Sequence, residues 1–117
     1  MEAKARMRNV PIGPRKARLV ADLVRSQYVE DALNQLAFTH KAVSPVIEKL
    51  IKSAVANAQY QDSTIDEGNL YIKKIIVDEG INRRWIRRRA RGMANRILRR
   101  RCHITVVVDE ESKDNED

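Results

Sequence analysis

An α+β fold is predicted, with a small antiparallel sheet packed against three helices and a long basic β-hairpin extending from it. Three observations lead there. Between residues 14 and 60, three segments carry apolar residues at helical spacing. Two later runs, LYIKKIIV (70–77) and HITVVV (103–108), are β-branched and apolar. Between those runs lies INRRWIRRRARGMANRILRRR (81–101), which holds ten arginines and no acidic residue.

The elements follow in order. Residues 3–10 (AKARMRNV) set basic Lys4, Arg6 and Arg8 against Ala5, Met7 and Val10, and this period of two fits a strand or extended arm with one charged face. Pro11, Gly13 and Pro14 mark a turn, with Pro14 suited to a first helical turn. From Arg15 to Arg25 the apolar set is Ala17, Leu19, Val20, Leu23 and Val24, with Arg15, Arg18 and Arg25 opposite and an (i, i+4) pair expected between Arg18 and Asp22. A second helix is expected over Val29 to Phe38, burying Val29, Ala32, Leu33, Leu36 and Ala37. In the third, Ser44 is the expected cap and Pro45 the first position, followed by the stripe Ile47, Leu50, Ile51, Ala54, Val55 and Ala58. QDSTIDEGN (61–69) reads as a loop, and no internal repeat is visible.

The arginine run admits two shapes. As a helix it would line Ile86, Ala90, Met93 or Ala94, and Ile97 along one face. As a hairpin it would turn near Arg89 to Gly92, close to the midpoint of the 26 residues between Val77 and Ile104. Periodicity alone does not decide. The strand-like flanks favour the hairpin, as does Gly92, which would cost about 1 kcal/mol inside a helix. Each arm would span roughly 45 Å over about 13 residues. An isolated two-stranded ribbon is marginal in water, and like charges facing one another weaken it further. Such an arm needs a polyanion to lie in.

Charge supports that reading. The chain of 117 residues, enough for one domain, has net charge +7. DEESKDNED (109–117) is an acidic segment of net −5, read as a disordered tail, so the domain at 1–108 carries +12. Arginine rather than lysine throughout the run suits phosphate, which the planar guanidinium fork grips and a point charge does not. Lys4, Arg6 and Arg8 with Arg15, Lys16 and Arg18 form a second basic group. Ordinary solvated surface charge is the plain alternative for any one of these residues. Trp85 is read as a packing anchor before a base-stacking platform.

No catalytic constellation is present, so an enzyme is not expected. Cys102 and His103 are adjacent but lack a second ligand pair at metal spacing, and neither a metal nor a cofactor is predicted. His103 is placed at a strand edge, His40 in a polar loop, and Asp78-Glu79-Gly80 in an acidic turn at the foot of the arm. The single cysteine cannot close an internal disulfide, and no apolar run approaches a membrane span, so a cytosolic protein is expected. A DNA-binding module, with residues 15–25 or the arginine run as a groove-reading helix, is the competing function; RNA co-purifying with the protein would discriminate.

GPRKARLVADLVR (13–25), SAVANAQ (53–59), IIVDEG (75–80), RARGMANRILRR (89–100) and HITVVV (103–108) resemble, in this order, the bacterial large-subunit ribosomal protein L-twenty-two family. The resemblance covers residues 3–108 and leaves the acidic tail outside the family's common core. It implies an α+β body on the outer surface of the large ribosomal subunit and a hairpin reaching the wall of the nascent-peptide exit tunnel. The implied partners are large-subunit (23S) rRNA, whose assembly such proteins support, neighbouring large-subunit proteins, and the nascent polypeptide near the tip. The implied rRNA-binding residues are Lys4, Arg6, Arg8, Arg15, Lys16 and Arg18 in the body. In and beside the arm they are Arg83, Arg84, Arg87, Arg88, Arg89, Arg91, Arg96, Arg99, Arg100 and Arg101. The tunnel-lining tip is Arg87, Arg88, Arg89, Ala90, Arg91 and Gly92. Relatives often carry proline just before the tip, where this chain has Arg88.

Overall fold

The computed structural model describes residues 2–80, 83–88 and 94–110, with residues 83–88 and 94–99 described by backbone alone. Its elements run β1 (Glu2–Val10), α1 (Pro14–Val24), α2 (Val29–Ala37), α3 (Ser44–Gln61), a 3-10 turn (Glu67–Asn69), β2 (Leu70–Glu79), β3 (Arg83–Arg88), β4 (Ala94–Arg99) and β5 (Cys102–Glu110). β5 lies between β1 and β2, antiparallel to both, and β3 pairs with β4 as a separate two-stranded ribbon. This is the expected α+β architecture.

The sheet turns one face to the helices. Ala3, Ala5 and Val10 of β1, Ile104, Val106 and Val108 of β5, and Ile72, Ile75 and Val77 of β2 are buried there. They share one core with Ile47, Leu50, Ile51, Ala54, Val55 and Ala58, the predicted stripe of α3. Two bulges keep the alternation in phase. In β2 the register shifts between Ile72 and Lys74, which brings both Ile72 and Ile75 inward despite their odd spacing. In β1 it shifts between Met7 and Val10, where Asn9 takes a left-handed φ of 57°. Asparagine tolerates that conformation better than most residues.

Several expectations need correction. In α1 the inward stripe is Pro14, Ala17, Val20, Ala21 and Val24, at i, i+3, i+6, i+7 and i+10; Leu19 and Leu23 point outward, 67% and 43% exposed. The stripe is built of small residues because α1 lies close against the edge of β2. In α2 Leu33 is only half-buried and Ala37 is exposed. Ser44 does not cap α3: Val43 holds that position, and the buried Ser44 hydroxyl lacks a protein partner among the described residues. His103 sits in the central strand, not at an edge, and Asp78 and Glu79 are strand residues opposite His103 and Cys102. β5 also takes in Asp109 and Glu110, so regular structure runs two residues into the predicted tail.

Candidate nucleic-acid interface

The arginine-rich run is a hairpin in the described residues, not a recognition helix. Pairing proceeds from Arg83 opposite Arg99, through Arg84–Leu98, Trp85–Ile97, Ile86–Arg96 and Arg87–Asn95, to Arg88 opposite Ala94. Arg89, Ala90, Arg91 and Gly92 of the predicted tip lie outside the described residues, as does the packing of Trp85. Directly opposed residues share a face of a ribbon. By register, the positions Arg83, Arg87 and Arg99 fall on one face and Arg84, Arg88 and Arg96 on the other. Arginine positions thus occur on both faces, alongside Trp85 and Ile97 on the first and Ile86 and Leu98 on the second.

The arm is rooted at a narrow neck. Glu79 pairs with Cys102 at the end of the β2–β5 ladder, and the Gly80 N–H donates to the Arg101 carbonyl at 2.8 Å. A Cβ on Gly80 would meet the Arg101 carbonyl carbon and oxygen at 3.2 Å, tighter than ordinary van der Waals contact, so a side chain here would press the two strands apart by a few tenths of an ångström. Cys102, just inside the neck, is fully buried, and burial pushes its thiol pKa up against a smaller opposing pull from Arg18. It is a packing residue rather than a nucleophile.

The start of α1 lies beside this neck: a Cβ on Gly13 would come within 4.0 Å of the Arg100 Cβ. Arg15 and Lys16 are exposed in the first helical turn, which holds no acidic residue and no side-chain cap. Cations at the positive end of a helix dipole are unfavourable by themselves. With Arg100 exposed and Arg101 half-buried nearby, they gather positive potential around the foot of the arm.

A further basic surface is the sheet face turned away from the helices. Lys4 and Arg6 lie opposite Val107 and Thr105 of β5, which lie opposite Lys74 and Ile76 of β2. Lys4, Arg6, Lys74 and Ile76 are exposed, as is Arg8 at the bulge of β1. Val107 is nonetheless 8% exposed, as expected where lysine stems on both flanks cover it. Lys74 is an addition to the residues expected from the sequence. Its signal there is the Lys73-Lys74 doublet, which breaks the alternation of an otherwise apolar strand and marks the bulge.

Arg18 has a different setting. Its Nη2 donates to the Val77 carbonyl at 3.0 Å, and Nη1 of Arg25, two helical turns on, donates to the Ile75 carbonyl at 2.9 Å. The two guanidinium groups clip α1 onto alternate carbonyls along the outer edge of β2. The Ile72 N–H, on the same strand, donates to the Gln27 carbonyl. The expected Arg18–Asp22 pair is replaced by Arg25–Asp22 at 3.2 Å, because Arg18 is turned to the strand. Sequence reasoning missed this role for Arg25; the only sequence signal is the seven-residue spacing of the two arginines.

At the opposite end of the sheet, Lys73 bonds the Glu2 carboxylate and lies 3.8 Å from Asp109, so charge joins all three strands. The hydrogen bond and charge of Lys73 hold the Glu2 pKa below its usual 4.5, and Glu2 in turn raises that of Lys73. His103 Nδ1 accepts from the Asn9 N–H at 3.0 Å, fixing the β1 bulge against the centre of the sheet. Among the described residues no group of His, Cys, Asp and Glu is placed to hold a metal ion, and no helix is long and apolar enough to cross a membrane.

The sequence model of the family described as ribosomal protein L22p/L17e matches residues 5–109. The chain is similar to proteins named large ribosomal subunit protein uL22. That of Lactobacillus gasseri is 47% identical over 110 residues, covering 94% of this chain and 93% of the relative. That of Lactobacillus helveticus is 46% identical over the same shares, and that of Lactobacillus delbrueckii subsp. bulgaricus 47% over 108 residues, 92% of each chain.

Proposed function

The chain belongs to the ribosomal protein L22p/L17e family of structural, non-enzymatic large-subunit proteins, and on that premise we propose that it binds 23S rRNA and supports subunit assembly. It is a component of the large ribosomal subunit in the cytoplasm. In this reading the arm is threaded between rRNA segments and brings its tip to the nascent-peptide exit tunnel, where the growing polypeptide passes. Neighbouring large-subunit proteins are the remaining partners.

The observation that carries the proposal is the make-up of the β3–β4 ribbon. It opposes Arg83 to Arg99 and distributes arginine positions over both faces. Like charges directly across a ladder are destabilising, and two strands alone are marginal. Phosphates on both sides reverse the sign of that cost. A ribbon lying on a flat surface would need cations on one face only. The body adds Lys4, Arg6 and Arg8 on the open sheet face and Arg15, Lys16, Arg100 and Arg101 around the neck.

The test is co-sedimentation with large ribosomal subunits, together with titration of a 23S rRNA fragment at increasing salt. Neutralising about six phosphates, at the slope for single or double strands, weakens binding by roughly 300- to 2,000-fold between about 50 and 200 mM salt. A flat salt response, or failure to co-sediment, refutes the proposal.

A further inference from the structure

We propose that the acidic residues 111–117 dock on the open face of the three-stranded sheet and occupy its cationic row until RNA displaces them; this rests on the rRNA-binding reading above. Among the described residues nothing covers this face, and Lys4, Arg6, Arg8 and Lys74 make no ion pair there. The segment Glu-Ser-Lys-Asp-Asn-Glu-Asp holds four acids and one lysine, the complementary sign.

Topology places the two together. The segment leaves from Glu110, at the end of the central strand, so it emerges between β1 and β2 rather than at a sheet edge. The other face of the sheet is filled by the helices and their shared core, which leaves the open face as the accessible side. At that exit Asp109 is opposite both Glu2 and Tyr71, and Lys73 draws Glu2 and Asp109 together. Lys4 is two residues along β1 from this row and Arg8 six, or roughly 7 to 20 Å at ~3.3 Å per residue. Seven residues extend to about 24 Å, so the whole row is within reach.

The same physics makes the cover removable. Exposed ion pairs are individually weak and screened by salt. They act here only because attachment to the fold keeps the local concentration of carboxylate high. An RNA strand presents a denser and longer array of charge and wins the competition. The free protein is thereby shielded from adventitious polyanions, while rRNA that also engages the arm is not excluded.

The experiment compares the full chain with a form ending at Glu110, using a short poly(U) oligonucleotide as probe, alongside a nitroxide on Asn115→Cys in the full chain. Cys102 is fully buried and escapes labelling in the folded protein. Removal of 111–117 is expected to tighten poly(U) binding about three- to tenfold at low salt, a gain that vanishes at high salt. The nitroxide should broaden the amides of Arg6, Lys74 and Thr105 while sparing Lys49 and Lys52 on the exposed side of α3, and added RNA should reverse it. Absent or uniform broadening overturns docking even if affinity rises, since long-range repulsion then suffices. Unchanged affinity overturns the cover and leaves the rRNA reading standing. If neither form binds poly(U) or 23S rRNA, the rRNA reading itself falls.

Discussion

Basic residues along α1 meet different fates in the fold. Arg15 and Lys16 stay exposed at the start of the helix, whereas Arg18 donates to the Val77 carbonyl and Arg25 to that of Ile75. A bond from a charged donor contributes about 1.5–3 kcal/mol in favourable settings, and partial exposure lowers that. Arg18→Ala is therefore expected to cost about 1 kcal/mol in urea unfolding, and Lys16→Ala less than about 0.5. Equal small losses would show that the edge bonds contribute nothing. Glu2 offers a second residue-level check. Its folded pKa lies below the usual 4.5, so its contribution is present above that pH and is lost as pH falls through the folded value. Lys73, raised above 10.5, contributes below that pH and loses its effect as pH rises through its own folded value. Glu2→Gln should thus flatten part of the acid limb of the stability profile and leave the neutral region nearly level; an unchanged acid limb would contradict the Lys73 clamp.

At the level of elements, the sequence reveals which segments are helix or strand more reliably than which face turns inward. The stripe of α3 is legible because large apolar residues repeat there without competition. In α1 the bulky Leu19 and Leu23 suggest a buried face, yet packing against β2 selects the smaller series Ala17, Val20, Ala21 and Val24. Residue size misleads where two backbones approach closely. The bulge at Asn9 is likewise hidden, since a single extra residue resembles noise in a period-two pattern, whereas that in β2 shows only as the Lys73-Lys74 doublet. Gly80 reads in the sequence as part of a turn, but its importance is the close approach of two chains at the neck. Gly80→Ala would force a methyl to 3.2 Å from the Arg101 backbone, which cannot rotate away as a side chain would. We expect a loss of about 1–2 kcal/mol, the scale of modest overpacking, accompanied by amide shifts at Arg101 and Cys102. A variant as stable as the parent would mean the neck can widen freely.

Across the whole molecule, the charge is concentrated between the sequence stretches that supply the described core. Among the residues whose burial is described, the hydrophobic core draws on positions from Ala3 to Val77 and from Cys102 to Val108. The ten arginines of residues 81–101 lie between these two stretches in the sequence. The hairpin itself is legible in the sequence because strand-forming runs bracket the charge. The clips of α1 on β2 are not, because they depend on which carbonyls the tertiary fold leaves unpaired. If folding resides in the body and rRNA affinity in the arm, the two should separate on one deletion. Replacing residues 82–99 by a two-residue Asn-Gly turn between Ile81 and Arg100 keeps the Gly80–Arg101 bond and the β2–β5 ladder. The shortened chain should melt within a few degrees of the parent, since every described core residue is kept. Its affinity for 23S rRNA should fall sharply at low salt, because Arg83, Arg84, Arg87, Arg88, Arg89, Arg91, Arg96 and Arg99 are removed. The slope of log affinity against log salt should shrink by about 0.7–0.9 for each phosphate that the arm no longer neutralises. An unchanged slope would place the binding charge in the body, and a collapse in melting temperature would make the arm part of the fold.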